Sequence, residues 1–162
     1  MKSHTRRGRN GGRKKGYQHP RKNTEYVDYR ARDNKKKAST FWDALNSHDW
    51  EKLASVVTPD FQHDNDVDYF YGRDEVIELF KGTTVEGLDY HQHIDRVTAE
   101  GDVVICEATW TGNHIFEMWG VPATGKGFAV PVVYIIEFKD GLISRLRSVY
   151  RDRRLEQEVS KT

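Results

Sequence analysis

Only one cysteine, Cys106, occurs in the 162-residue chain, so it has no partner for an intrachain disulfide. It stands in the apolar run Val103-Val104-Ile105-Cys106 and reads as a buried core thiol of a protein kept in a reducing compartment. Nowhere does an apolar stretch reach the length needed to span a bilayer, which excludes a membrane-crossing helix. The N-terminal charges are followed by no apolar segment, so a secretory signal is not expected. Aliphatic residues are almost absent between Met1 and Thr40, which argues against an amphipathic transit peptide. A soluble cytoplasmic protein is the expectation.

What is present divides by charge. Residues 1–37 carry 14 Lys/Arg against Glu25, Asp28 and Asp33, a formal +11, whereas the rest carries 12 Lys/Arg against 22 Asp/Glu, a formal −10. The near-neutral total hides a basic arm joined to an acidic domain. With so little apolar surface to bury, residues 1–37 are expected to be disordered. The run Arg6-Arg7-Gly8-Arg9-Asn10-Gly11-Gly12-Arg13-Lys14-Lys15-Gly16 suits contact with nucleic acid or another polyanion. A solubilising tail, or an arm that folds back on its own acidic domain, fits the same composition.

The domain is expected over 38–151, with a charged tail at 152–162. Residues 38–47 and 49–57 read as two helices broken at Asn46-Ser47-His48-Asp49, where Asp49 is a good N-cap for the restart. Phe61–Val67 reads as a strand or extended run, and Glu75–Lys81 as a third helix opened by Gly72-Arg73-Asp74. Four strands follow at Tyr90–Thr98, Asp102–Thr111, Gly127–Phe138 and Leu142–Tyr150. Ala99-Glu100-Gly101-Asp102 and Lys139-Asp140-Gly141 are hairpin turns, and Asn113–Lys126 is a long loop. Helices first and an antiparallel meander after predict an α+β domain.

The helical opening Phe41-Trp42-Asp43-Ala44-Leu45-Asn46-Ser47-His48-Asp49-Trp50-Glu51-Lys52-Leu53, followed by Thr58-Pro59-Asp60-Phe61, resembles the start of the nuclear transport factor 2-like superfamily. Three later motifs, Thr111-Gly112-Asn113-His114, Gly120-Val121-Pro122-Ala123-Thr124-Gly125-Lys126 and Asp140-Gly141-Leu142-Ile143, resemble its SnoaL-like polyketide cyclase branch in order and spacing. The resemblance implies a cone of N-terminal helices on a curved antiparallel or mixed sheet, with one deep pocket and a homodimer through the outer sheet face. Laid over the strands, it puts Phe61, His63, Asn65, Trp110, Val130, Val132, Tyr134, Ile136, Leu146, Ser148 and Tyr150 inward, and Arg145, Arg147 and Arg151 outward.

The same resemblance shows what is missing. The His-x-Asp positions of the cyclases hold Leu146 and Ser148, and the limonene-epoxide-hydrolase triplet Arg-x-Asp does not occur. The scytalone-dehydratase Tyr-Asp positions hold Leu45 and Asn46, and the three ketosteroid-isomerase positions hold Phe41, Asn65 and Tyr134. Each standard catalytic set is therefore incomplete. What remains is His63 as the inward group titrating near neutral pH, Tyr134 as a donor to a developing enolate oxygen, and Ser148 as a group that orients an oxygen. Phe41, Phe61, Asn65, Gln92, Trp110, Val132, Leu146 and Tyr150 would bind the substrate around them.

That set supports a cofactor-independent enzyme moving protons on a hydrophobic cyclic or polyketide-like molecule by cyclisation, isomerisation or dehydration. Two other readings stay open: a non-catalytic small-molecule-binding or dimeric adaptor module, and polyanion association through the arm. His63 is equally consistent with a hydrogen-bonded core histidine. No metal is expected. Asp64-Asn65-Asp66-Val67-Asp68 with Glu75 imitates a calcium loop, but Tyr69 stands where the sharp turn needs glycine. His91-Gln92-His93 is a period-two pair able to chelate zinc only if a third ligand converges, and the family register turns both histidines away from the pocket.

Overall fold

The computed structural model describes residues 24–65, 68–118 and 120–150, with side chains from Tyr29 onward. Helix α1 (Thr24–Asn46) carries a buried stripe of Ala31, Asn34, Ala38, Phe41, Trp42 and Leu45, the spacing of a helix with one face on a core. Its start corrects the expected disorder up to residue 37, since residues 24–37 are helical. The reason is polar rather than apolar. Arg30 Nη1 donates to Asp102 Oδ2 at 2.8 Å, Asn34 Nδ2 to the Gly101 carbonyl at 3.0 Å, and Lys37 Nζ to the Gly141 carbonyl. Small residues at 31, 34 and 38 let the helix lie close over the two hairpin turns that offer those acceptors. Residues 1–23, Val67, Arg151 and the tail 152–162 lie outside the described residues.

The chain reverses through His48, at φ 58°, and Asp49 caps α2 (Trp50–Ser55) by accepting from the Lys52 amide at 2.9 Å, as the sequence predicts. Helix α2 is shorter than expected. Strand β1 (Val57–Asp64) starts where the helix was expected to continue, because Val57 pairs with Ile143. Pro59 sits in the irregular stretch of that ladder between Val57 and Gln62, where its missing N–H is tolerated. A short strand absent from the sequence reading, β2 (Tyr69–Tyr71), pairs antiparallel with β1. Helix α3 (Arg73–Lys81) follows Gly72, whose φ of 100° turns the chain into it.

Four strands complete the sheet: β3 (His91–Glu100), β4 (Val103–Asn113), β5 (Gly127–Lys139) and β6 (Leu142–Tyr150). The order is β2-β1-β6-β5-β4-β3, antiparallel throughout except for the parallel β1–β6 pair. Asp140 and Gly141, both at positive φ, close the β5–β6 hairpin as expected. Register shifts in β1, in β3 at Asp95 between Ile94 and Arg96, and in β6 at Ser144 opposite Glu137 and Phe138 mark bulges that bend strands. Helix α1 packs on the concave side, touching β3, β4 and β6. Phe41 forms the centre of the core, edge-on to Trp42 at 5.0 Å, Phe61 at 6.0 Å and Phe80 at 6.1 Å.

Outside, Arg145 and Arg147 meet the domain's own acids, Asp64 at 3.2 Å and Glu137 at 3.1 Å. The same face leaves Val103, Ile105, Val133 and Val149 exposed. Among the described residues no helix is long and apolar enough to cross a membrane.

Candidate functional site

Alternation along β5 turns Phe128, Val130, Val132, Tyr134, Ile136 and Phe138 inward, and the ladder carries that face across the sheet. Tyr134 is paired with Cys106 on β4 and Ser148 on β6. Ile136 is paired with Leu146, which in turn pairs with His63 on β1. Nearer the open end, Val132 pairs with Tyr150, and Trp110 pairs with Val130 and Gln92. The inward residues expected from the sequence therefore share one face. Phe41, Phe61 and Leu146 are fully buried and make its packed floor, while Trp110, Tyr150 and Asn65 are only half-buried.

His63 lies between Phe70 and Phe80, with ring centroids 6.3 and 5.4 Å away. Burial lowers its pKa to about 4, against the opposing pull of a hydrogen bond with the Leu146 backbone and of the Asp64 charge. The ring is thus neutral near pH 7. Its Nδ1 is buried without a hydrogen-bond partner. Strand β6 separates β1 from β5 and Tyr134 lies one two-residue step beyond the row of His63, Leu146 and Ile136, so the backbones of His63 and Tyr134 stand roughly 12 Å apart.

Tyr134 packs against Trp42, centroids 4.4 Å apart. Burial holds its phenol well above the usual range, helped by Tyr90, Tyr150 and Cys106 nearby, and a hydrogen bond with Gln92 acts the other way. The Gln92 amide also donates to the Tyr90 hydroxyl at 2.7 Å, and burial pushes that phenol up to about 12. Gln92 Oε1 is buried and unpartnered. Burial likewise raises the Cys106 thiol, which accepts from Trp42 Nε1 at 3.4 Å. Two phenols that keep their protons, one amide and a neutral imidazole therefore lie on this face without a charge of their own.

Sequence reasoning missed Tyr90. The signal was there, since Tyr90 stands two residues before Gln92 and so shares its inward face. His114 was seen only as part of a motif. It is completely buried, with Nδ1 3.0 Å from Thr124 Oγ1, and its backbone bonds to Lys126, Thr124 and Gly125. It pins the 113–126 loop to itself. His91 and His93 point outward while Gln92 is buried, as the resemblance implied.

A family model described as the SnoaL-like domain matches residues 38–146. No curated protein gives a significant sequence match. Among solved structures, a protein assigned to the SnoaL-like polyketide cyclases from Jannaschia sp. CCS1 is similar with a TM-score of 0.70 at 22% identity, over 82% of this chain and 95% of that one. One assigned as a polyketide cyclase from Xanthomonas campestris pv. campestris gives 0.72 at 21%, over 81% and 99%. A hypothetical protein of ketosteroid isomerase-like fold from Catenulispora acidiphila, solved with trimethylamine, gives 0.64 at 17%, over 78% and 93%. At these identities the likeness establishes the nuclear transport factor 2-like fold.

Proposed function

The chain belongs to the SnoaL-like domain family, and we propose that its concave face is a cofactor-independent proton-transfer site for a hydrophobic cyclic or polyketide-like molecule. Cyclisation, isomerisation or dehydration would each use the same parts. His63 Nδ1 accepts a proton from carbon, and the Tyr134 hydroxyl donates to the oxygen on which charge develops. Ser148, next to Tyr134 across the β5–β6 ladder, orients that oxygen, and Gln92 sets the phenol. Trp110, Tyr150 and Val132 provide flat walls, Asn65 lies beside Tyr150 at the open end, and Phe41, Phe61 and Leu146 close the floor. The observation that carries this reading is the buried, unpartnered Nδ1 of a neutral His63 on the face that Tyr134 shares.

The test needs no knowledge of the natural substrate. Planar polycyclic ketones are incubated with the protein in D2O, and deuterium entering the carbon next to the carbonyl is followed by NMR. Exchange above the buffer rate, lost in His63→Ala and reduced in Tyr134→Phe, supports the reading. Exchange at the buffer rate despite measurable ligand binding favours the second reading, a non-catalytic binding module. That alternative draws on His63 itself, because a pKa of about 4 makes a weak base at neutral pH.

A domain that opens with α1 rather than at 38 and runs to 151, a tail at 152–162, a cytoplasmic location, and polyanion contact by the basic segment within 1–37 belong to the same proposal. So does a homodimer through the outer face, for which the exposed Val103, Ile105, Val133 and Val149 speak.

A further inference from the structure

We propose that His91 and His93, on the outer side of β3, form a two-histidine site for a late first-row divalent transition metal, copper(II) foremost. The pair is independent of the pocket, since Gln92 between them is the residue that turns inward. The two rings lie with centroids 4.4 Å apart, inclined by 47°, on one face of one strand. An imidazole nitrogen binds such a metal at about 2.0–2.1 Å, and rotation of two half-exposed or exposed side chains brings both nitrogens onto one ion.

The surroundings favour a cation. The pair opens into a groove of about 510 Å³ whose walls include Asp43 of α1 and Asp95 of β3, and no Lys or Arg lines it. Helix α1 ends there with no basic residue in its last turn. The backbone is held in place: Asn46 Nδ2 donates to the Gln92 carbonyl and Asn46 Oδ1 accepts from the Gln92 amide, both at 2.9 Å.

The carboxylates stand back. Asp95 already accepts from Thr109 at 3.1 Å, and no three His, Cys, Asp or Glu groups among the described residues converge as a ready-made cage. Water therefore fills the remaining positions, and the site is an exchangeable chelate. Imidazole donors and the general stability order place copper(II) above nickel(II) and zinc(II), with magnesium and calcium excluded by their preference for oxygen.

The full-length protein is titrated separately with copper(II), nickel(II) and zinc(II) by calorimetry near pH 7, and copper-induced broadening of the histidine ring signals is mapped by NMR. The expected result is one strongest site with copper bound tightest and the signals of His91 and His93 broadened first. In the double variant His91→Asn/His93→Asn the affinity of that site falls by more than the roughly 10–100-fold typical of losing an outer-sphere partner. The single variant His93→Asn, at an exposed position, gives the same direction with no core disturbed. Unchanged copper affinity in the double variant, or broadening centred on other histidines, overturns the proposal.

Discussion

The side chain of Asn46 and the backbone of Gln92 exchange two hydrogen bonds, one in each direction and both at 2.9 Å. This contact ties the last residue of α1 to the first turn of β3. It fixes the height at which Gln92 reaches Tyr90 and at which His91 and His93 stand outside. The end of α1 thus carries a clamp.

Removing the clamp should therefore loosen the strand. Asn46→Ala leaves a buried N–H and C=O of Gln92 without partners, a loss of about 1–3 kcal/mol for groups that stay dry. Asn46→Asp keeps the acceptor for the Gln92 amide but not the donor, and should fall between the parent and Asn46→Ala. Urea unfolding of the three proteins measures this, and equal midpoints would show that the clamp contributes nothing.

The depressed pKa of His63 predicts a pH dependence of stability. The folded ring titrates at about 4 and the unfolded ring near 6.5, so between those values the unfolded chain holds more protons. The contribution of His63 is complete above pH 6.5 and declines as pH falls toward 4, by about 3 kcal/mol in all. His63→Leu should lack this component. The urea midpoint of the parent should fall relative to that of the variant as the pH goes from 7 to 4, and a constant difference would contradict the burial of this ring.

Two glycines should respond oppositely to alanine. At Gly112 an added Cβ would stand 2.9 Å from Phe128 Cζ and 3.1 Å from the Leu88 carbonyl. Phe128 belongs to a cluster with Met118 and Val130 and cannot retreat freely. Gly112→Ala should cost on the order of 1–3 kcal/mol from overpacking. Gly82, in a right-handed helical conformation with nothing within 4 Å of a Cβ, should gain up to about 1 kcal/mol in Gly82→Ala. Thermal melts decide the pair, and a neutral Gly112→Ala would mean that Phe128 has room to move.

Much of the fold is legible because its signals are local. Side chains of a strand alternate with a fixed period, so the inward set on β5 follows from Val130-Pro131-Val132-Val133-Tyr134 alone once a strand is assumed. Asp140-Gly141 can close a tight hairpin because both residues tolerate positive φ, and Asp49 can cap α2 because its carboxylate reaches the Lys52 amide. His63, Tyr134, Ser148 and Gln92 share one face of the sheet, each placement following from that two-residue period.

Residues 24–37 were not legible, because the groups that hold their helix, Gly101, Asp102 and Gly141, are remote in sequence and offer mostly backbone carbonyls. No composition rule sees such acceptors. The early start of β1 depends in the same way on the parallel partner strand β6, and the role of Tyr90 depends on a glutamine amide that only the folded strand aims at it. The sequence by itself determined most of the elements, their faces and the family, since periodicity, caps and turns act over a few residues. Only the tertiary structure decided the protonation of His63, the rise of the Tyr90 and Tyr134 phenols and the juxtaposition of His91 and His93 with Asp43, because desolvation and approach across strands depend on neighbours that chain order does not supply.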